Sequence, residues 1–234
     1  MSIVESLAWV RQRIDAAASR AGRRPGEIAL MAVSKTLPAE SIREAYGAGL
    51  RLFGENRVQE FAAKIDSLRD LRDIEWHLIG HLQTNKASKT ADLFASVDSV
   101  DSRRLAQKLN ASAKQLGKKL KVLIEINVGG EAAKSGVGPD SRELEELLLT
   151  ARDMAHLEFQ GLMTVPPFTD DPQQARPYFR RLRDLRDQIA ARRLPDIAMN
   201  VLSMGMSHDF EVAIEEGSTC VRVGTAIFGE RTRA

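Results

Sequence analysis

Residues 28–38 read Ile28-Ala29-Leu30-Met31-Ala32-Val33-Ser34-Lys35-Thr36-Leu37-Pro38, an apolar run that ends in a polar turn and a proline. A short, continuous apolar run is typical of a parallel strand that is buried on both faces. Proline suits the first turn of a helix, so we expect a helix over residues 39–48, ending at Gly49. The turn after the strand lacks the G-x-G-x-x-G pattern that marks an open dinucleotide-binding sheet.

The same unit of apolar run and helical pattern recurs along the chain. One more helix, opened by the capping box Ser2-Ile3-Val4-Glu5, precedes the first strand. Eight such units in 234 residues predict an α/β fold, a single (β/α)8 TIM barrel with an extra N-terminal helix, as one domain over residues 1–234. The alternative is an open, doubly wound sheet. The predicted strands are 28–33, 50–53, 76–79, 93–97, 120–128, 157–165, 197–202 and 220–223.

The composition is that of an ordinary globular protein, with 43% hydrophobic and 28% charged residues and a net charge of +2. Basic and acidic residues alternate, which does not favour nucleic-acid binding. No apolar run approaches the ~18 to 20 residues of a membrane span, and the first residues lack a secretory pattern, so we expect a cytoplasmic protein. The single cysteine, Cys220, lies in an apolar run and is predicted to be a buried structural thiol.

Lys35 is the first candidate for chemistry. Reactive groups of a (β/α)8 barrel lie at the carboxyl ends of the strands, and Lys35 closes the first one. A lysine held partly out of water favours its neutral amine, which forms a Schiff base with an aldehyde. The competing interpretation is a lysine that extends to solvent or pairs with Glu55.

The second candidate is an anion site near the end of the chain. Residues 203–207 form a small, glycine-containing turn before a short helix, which Ser207 or His208 would cap. Gly224 and Thr225 follow the last strand and add N–H groups and a hydroxyl. Such loops often hold a phosphate in barrels of this kind, although a plain tight loop and helix cap would look the same.

Arg222 lies within the last apolar strand, where a buried guanidinium needs a partner. That partner is either a carboxylate such as Glu125 or the ring nitrogen of a ligand. Taken together with Lys35 and the anion site, Arg222 predicts an aldehyde cofactor that bears a phosphate. Lys134, in a loop that fails the Walker pattern, is a weaker candidate for the phosphate.

Eight motifs, in order along the chain, resemble those of the pyridoxal phosphate homeostasis proteins. They are AVSKT (32–36), FGENRVQE (53–60), WHLIGHLQTNK (76–86), INV (126–128), KSG (134–136), GLMT (161–164), LSMGMS (202–207) and RVGTAIFG (222–229). The resemblance covers essentially the whole chain.

The resemblance implies a barrel like the N-terminal domain of alanine racemase, the fold of type III pyridoxal 5′-phosphate (PLP) proteins. It implies that Lys35 carries PLP as a Schiff base, that Arg222 faces the pyridine nitrogen and that Asn56 lies beside the ring. The phosphate is then expected at Ser203, Ser207, Gly224 and Thr225. The implied role is that of a PLP carrier or buffer in vitamin B6 homeostasis, with PLP-dependent apoenzymes as candidate recipients.

The alternatives belong to other functional classes. A small PLP-dependent racemase needs a second base, which related racemases take from a tyrosine of a separate domain. The two tyrosines here, Tyr46 and Tyr178, fall in predicted helices. A third possibility is a barrel that binds a phosphorylated metabolite without PLP, for which Lys35 is dispensable. We therefore predict a protein that is not an enzyme and has no catalytic residues. We also expect it to be a monomer. His77 and His81 are four residues apart, but they lie on a strand and its loop, which does not favour a metal site.

Overall fold

Eight parallel strands form a closed barrel in the computed structural model, which describes residues 1–131 and 134–230. The strands follow one another around the barrel in chain order, and β1 pairs with β8 to close it, with Ala32 opposite Val223. The predicted (β/α)8 barrel is confirmed. The strands are β1 (Ala29–Val33), β2 (Leu52–Glu55), β3 (Glu75–Leu78), β4 (Ser96–Val100), β5 (Leu120–Glu125), β6 (Leu157–Met163), β7 (Ile197–Met206) and β8 (Cys220–Val223).

Helices surround the barrel, with one helix ahead of the first strand. The predicted capping box is present, since the Ser2 hydroxyl accepts from the Glu5 amide while the Glu5 carboxylate accepts from the Ser2 amide. The helices are α1 (Ile3–Arg20), α2 (Ala39–Gly47), α3 (Val58–Lys64), α4 (Ala87–Leu93), α5 (Arg103–Gln115), α6 (Arg142–Thr150), α7 (Arg176–Ala191), α8 (Phe210–Glu215) and α9 (Thr225–Phe228). Among the described residues, none of these helices has the length and apolar character needed to cross a membrane.

Several predicted boundaries were wrong. The second strand is Leu52–Glu55 and not 50–53, and the fifth and sixth strands end at Glu125 and Met163 and not at 128 and 165. The fourth strand begins at Ser96 rather than residue 93, because Leu93 is the last residue of α4. The seventh strand continues to Met206 instead of ending at 202. The cap position of α8 belongs to Asp209, whose carboxylate accepts from the Met206 amide, and not to Ser207 or His208.

The main core lies between the barrel and the helices. Its aromatic part connects β2, β3 and α3, where the Phe53, Trp76 and Phe61 rings have centroid separations of 5.2 and 4.7 Å. Cys220 is buried, as predicted, and burial raises the pKa of its thiol to about 12. A thiol that stays protonated at neutral pH is a poor nucleophile, so Cys220 is a packing residue.

Candidate functional site

A cavity of about 460 Å³ opens at the carboxyl ends of the strands. Six of the seven predicted site residues line it: Lys35, Asn56, Ser207, Arg222, Gly224 and Thr225. They come from β1, β2, β7 and β8 and the loops that follow these strands. The closure of the barrel between β1 and β8 therefore brings the candidate lysine and the candidate anion site into one cavity.

Lys35 lies in a short loop between β1 and α2. The Ser34 amide donates to the Gly54 carbonyl at 3.0 Å, which continues the pairing of β1 with β2 by one residue. Thr36 then adopts a left-handed backbone conformation, with φ of 62°. The Glu55 carboxylate, which the sequence offered as a partner for Lys35, is 2.7 Å from the Lys64 ammonium.

Backbone N–H groups converge at the start of α9. The Ser207 hydroxyl accepts from the Gly224 amide at 3.2 Å and from the Ala226 amide at 3.3 Å. Thr225, between them, also lines the cavity. The two amides converge on the Ser207 hydroxyl, and N–H groups and hydroxyls gathered in this way are the donors that a phosphate group requires.

Arg222 is 3% exposed and reaches the cavity from within the barrel wall. It donates to the Ser203 hydroxyl and to the Thr164 carbonyl, both at 2.7 Å. No carboxylate in the described part of the chain, Glu125 included, lies within 4.0 Å of this guanidinium. Burial lowers the pKa of Arg222 below the usual value for arginine.

Ser203 is the one predicted site residue that does not line the cavity. It is fully buried in β7, and its hydroxyl accepts from Arg222. The structure thus places Ser203 behind the guanidinium and Ser207 at the N–H groups of Gly224 and Ala226, at the start of α9. The two serines, which looked equivalent in the sequence, have different neighbours.

Glu125 ends β5 and lies two residues after Leu123, which lines a different cavity inside the barrel, so the alternation of side chains places Glu125 on the inner side as well. It is 8% exposed, and its Oε2 has no hydrogen-bond partner among the described residues. Burial, together with the Asp101 carboxylate, raises the pKa of Glu125 to about 7, against the attraction of Arg222 and His81. A buried carboxyl group of this kind titrates in the physiological range.

Sequence reasoning missed the apolar rim of the cavity, which includes Val165 and Phe168 from the loop after β6. The Phe168 side chain is 79% exposed, and its ring centroid is 5.6 Å from that of His208. His208 also lines the cavity. The one signal in the sequence was a phenylalanine within a polar, proline-containing loop.

A second cavity, of about 310 Å³, lies at the opposite end of the barrel and contains His77. The His77 ring is 2.9 Å from the Asp98 carboxylate, and this charge pair raises the pKa of His77 to about 9 in spite of burial. His81 pairs instead with Asp101 at 3.0 Å. The two histidines therefore contact different carboxylates, and no cluster of three metal-ligating side chains occurs within residues 1–131 and 134–230.

Comparison with known protein families shows which proteins this chain is similar to. Residues 6–232 match the family model for the alanine racemase N-terminal domain. The pyridoxal phosphate homeostasis protein of Aquifex aeolicus is 48% identical over 231 residues, which cover 99% of both chains. The protein of the same name from Pseudomonas aeruginosa is 43% identical, over 98% of this chain and 96% of its own length.

Solved structures give the same result. PipY of Synechococcus elongatus, described with PLP bound, superposes with a TM-score of 0.84 at 37% identity, over 97% of this chain and all of that one. Alanine racemase of Clostridium difficile, 15% identical, shares the fold alone, with a TM-score of 0.71 over 98% of this chain and 58% of the enzyme. The chain belongs to the family of pyridoxal phosphate homeostasis proteins, whose barrel is that of the alanine racemase N-terminal domain.

Proposed function

We propose that this protein binds PLP in the cavity at the carboxyl end of the barrel and acts in intracellular PLP homeostasis as a carrier or buffer. The observation that carries the proposal is that Lys35 lines the same cavity as Ser207, Gly224 and Thr225, which gather polar groups at the start of α9. An amine and a phosphate site match the two ends of PLP, its aldehyde and its phosphate. The PLP bound to PipY and the names of the relatives support the same cofactor.

Each residue then has a role in holding the cofactor. Lys35 forms the Schiff base with the aldehyde, while Ser207, Gly224 and Thr225 hold the phosphate. Asn56 would lie beside the ring, and Arg222 would face the ring nitrogen. Ser203 holds the Arg222 guanidinium by accepting its N–H.

The chemistry that PLP supplies when bound is electron withdrawal from an attached amine. An arginine beside the ring nitrogen would donate a hydrogen bond to it but keep its own proton at neutral pH, so the nitrogen would stay unprotonated and this withdrawal would be weaker. The Arg222 hydrogen bonds to Ser203 and Thr164 keep the guanidinium in place for this role. This arrangement favours binding and release of PLP over turnover of amino acids.

The first test is the absorption spectrum of the protein with PLP. The wild type is expected to show the visible band of a Schiff base, which borohydride reduction removes while fixing PLP to Lys35. Lys35→Ala lacks the amine and should show only free-aldehyde absorption. Lys35→Arg, which keeps the charge, serves as the matched control for folding and phosphate binding. A colourless wild type, or a Lys35→Ala variant with the same band, would contradict the proposal.

One observation favours a second candidate, a small amino-acid racemase. A racemase needs an acid–base group opposite the lysine, and His208 is a titratable side chain in the cavity wall. Neither Tyr46 nor Tyr178 lines the cavity; they lie in α2 and α7. With PLP and either enantiomer of alanine in D2O, we expect no deuterium at the α carbon, measured by mass spectrometry. Deuterium incorporation that is lost in His208→Ala would establish the racemase instead.

A further inference from the structure

A buried ion pair lies behind the loop that carries Lys35. Glu55, the last residue of β2, is fully buried, and Lys64, the last residue of α3, has a side chain that is 13% exposed. Glu55 Oε1 and Lys64 Nζ are 2.7 Å apart. The pair therefore connects the end of a barrel strand to the end of the helix that follows it.

The same pair holds the loop on both sides of Lys35. The Lys64 ammonium donates to the Ser34 carbonyl at 2.9 Å and to the Leu37 carbonyl at 3.4 Å. Glu55 Oε1 accepts from the Ser34 hydroxyl at 2.5 Å. Lys35 and Thr36 are thus enclosed between two residues that the ion pair fixes in position.

The backbone of this loop needs such a restraint. Thr36 has a φ of 62°, a conformation that residues with a Cβ seldom adopt unless the surrounding structure imposes it. Within the loop, the Leu37 amide donates to the Ser34 carbonyl at 3.2 Å. The Lys64 ammonium bonds to that same carbonyl and to the carbonyl of Leu37, so it stabilises the turn at both ends.

Stability alone does not account for a charged pair at this place. Two well-packed apolar side chains of similar volume are often as stabilising as a buried ion pair, because the charges lose their hydration. Glu55 Oε2, moreover, has no hydrogen-bond partner among the described residues. What an ammonium offers, and an apolar side chain does not, is a set of directed N–H donors that fix several acceptors at once.

We infer that Glu55 and Lys64 are positioning residues, which fix the loop of Lys35 so that its amine enters the cavity in the direction needed to react with the aldehyde of PLP. The inference rests on the proposed PLP binding and extends it to two residues outside the cavity. Neither residue contacts the cavity itself.

The test compares the variants Glu55→Gln, Lys64→Met and the double variant Glu55→Leu with Lys64→Met. Each single variant leaves one buried charge without its partner and should lower the melting temperature. The double variant removes both charges and should recover most of that loss. The rate of Schiff-base formation with PLP, followed by stopped-flow absorbance, should fall about 10- to 100-fold in all three, since a displaced amine reacts slowly.

The two single variants distinguish an electrostatic effect on the Lys35 amine from a loss of its positioning. Lys64→Met leaves a negative charge near the loop and Glu55→Gln leaves a positive one, so an electrostatic influence on the Lys35 amine would have opposite signs in the two. Slowing in both indicates geometry. In protein without PLP, amide hydrogen exchange in residues 34–37 should be faster in the double variant than in the wild type.

The His77 and Asp98 pair provides a matched control, with a separation of 2.9 Å, side chains 14% and 1% exposed, and a place at the opposite end of the barrel. His77→Gln should lower stability and leave the rate unchanged. A double variant that reacts with PLP at the wild-type rate overturns the inference while the proposed function stands. A wild type that forms no Schiff base contradicts both the inference and the proposed function.

Discussion

Arg222 and Glu125 are opposite charges inside one barrel, and neither satisfies the other by direct contact. Arg222 is held by a hydroxyl and a carbonyl, while Glu125 Oε2 has no partner among the described residues. Position in the sequence predicted that Arg222 would be buried, because it lies in an apolar strand. Its partner could not be predicted, because the choice between Glu125 and Ser203 depends on how far around the barrel the guanidinium extends.

The buried carboxyl group of Glu125 makes a prediction about pH. Its pKa is about 7 in the folded protein and 4.5 in a model peptide, so the folded state binds the proton more tightly. The cost of ionising it is absent below pH 4.5, grows between 4.5 and 7, and is complete above 7, on the order of 3 kcal/mol. Glu125→Gln, which cannot ionise, should therefore raise the melting temperature at pH 8 by roughly 6–12 °C and leave it unchanged at pH 4.5.

Differential scanning calorimetry of the wild type and Glu125→Gln from pH 4.5 to 9 measures this difference. Asp140→Asn, at an exposed carboxylate that pairs with Arg181, is the control and should show no such step. Equal pH profiles for the wild type and Glu125→Gln would mean that Glu125 is neutralised in another way.

Among the elements, β7 shows where sequence patterns fail. Residues 203–207 resemble a turn because they are small and polar, yet the strand continues through them to Met206. Ser203 is tolerated in the interior because Arg222 donates to it, and Gly205, with φ of 93°, lets the strand pass close to Phe210 and Ala213 of α8. Both reasons are tertiary contacts with residues that are not adjacent in the sequence, so no local sequence pattern reveals them. The apolar runs of β1 and β8, by contrast, predicted those strands to within one residue.

The loop after β3 supports the site through a close approach of two backbones. A Cβ added at Gly80 would lie 2.3 Å from the Asn56 carbonyl oxygen and 2.9 Å from its Cα. Gly80→Ala must therefore displace the segment that carries Asn56. We expect PLP affinity, measured by absorbance titration, to fall about tenfold, since a displacement of this size moves Asn56 out of the position in which it would contact the ligand. Gly26→Ala, where the added Cβ meets nothing within 4 Å, is the control and should bind PLP normally. Equal affinities would show that Asn56 does not contribute to binding.

At the scale of the whole molecule, the candidate site spans the line along which the barrel closes. Lys35 follows β1, while Arg222 and Gly224 lie in and after β8, its hydrogen-bonded neighbour. The number of strands and their parallel, buried character could be predicted from the sequence, and closure of eight strands into a barrel makes the first and last strands neighbours. The apolar rim at Phe168 could not be predicted, because nothing local indicates which way a long loop folds.

A ligand that contacts both strands should stabilise the closed barrel. At a PLP concentration about 100 times the dissociation constant, the expected gain is about 2.7 kcal/mol, or roughly 5–10 °C in melting temperature. Pyridoxal, which lacks the phosphate, and pyridoxine 5′-phosphate, which lacks the aldehyde, should each stabilise less than PLP. Thermal unfolding with the three ligands measures this, and equal shifts for all three would contradict a site with two ends.

The pairing of β1 with β8 also orders events during synthesis. On the ribosome, Lys35 emerges about 185 residues before β8, the strand that completes its cavity. A nascent chain that lacks β8 has the lysine without the N–H groups of Gly224 and Ala226, and so has half of the proposed site. Loading with the cofactor should then have to wait until β8 has been made, and a fragment truncated before Cys220 should be unable to retain PLP.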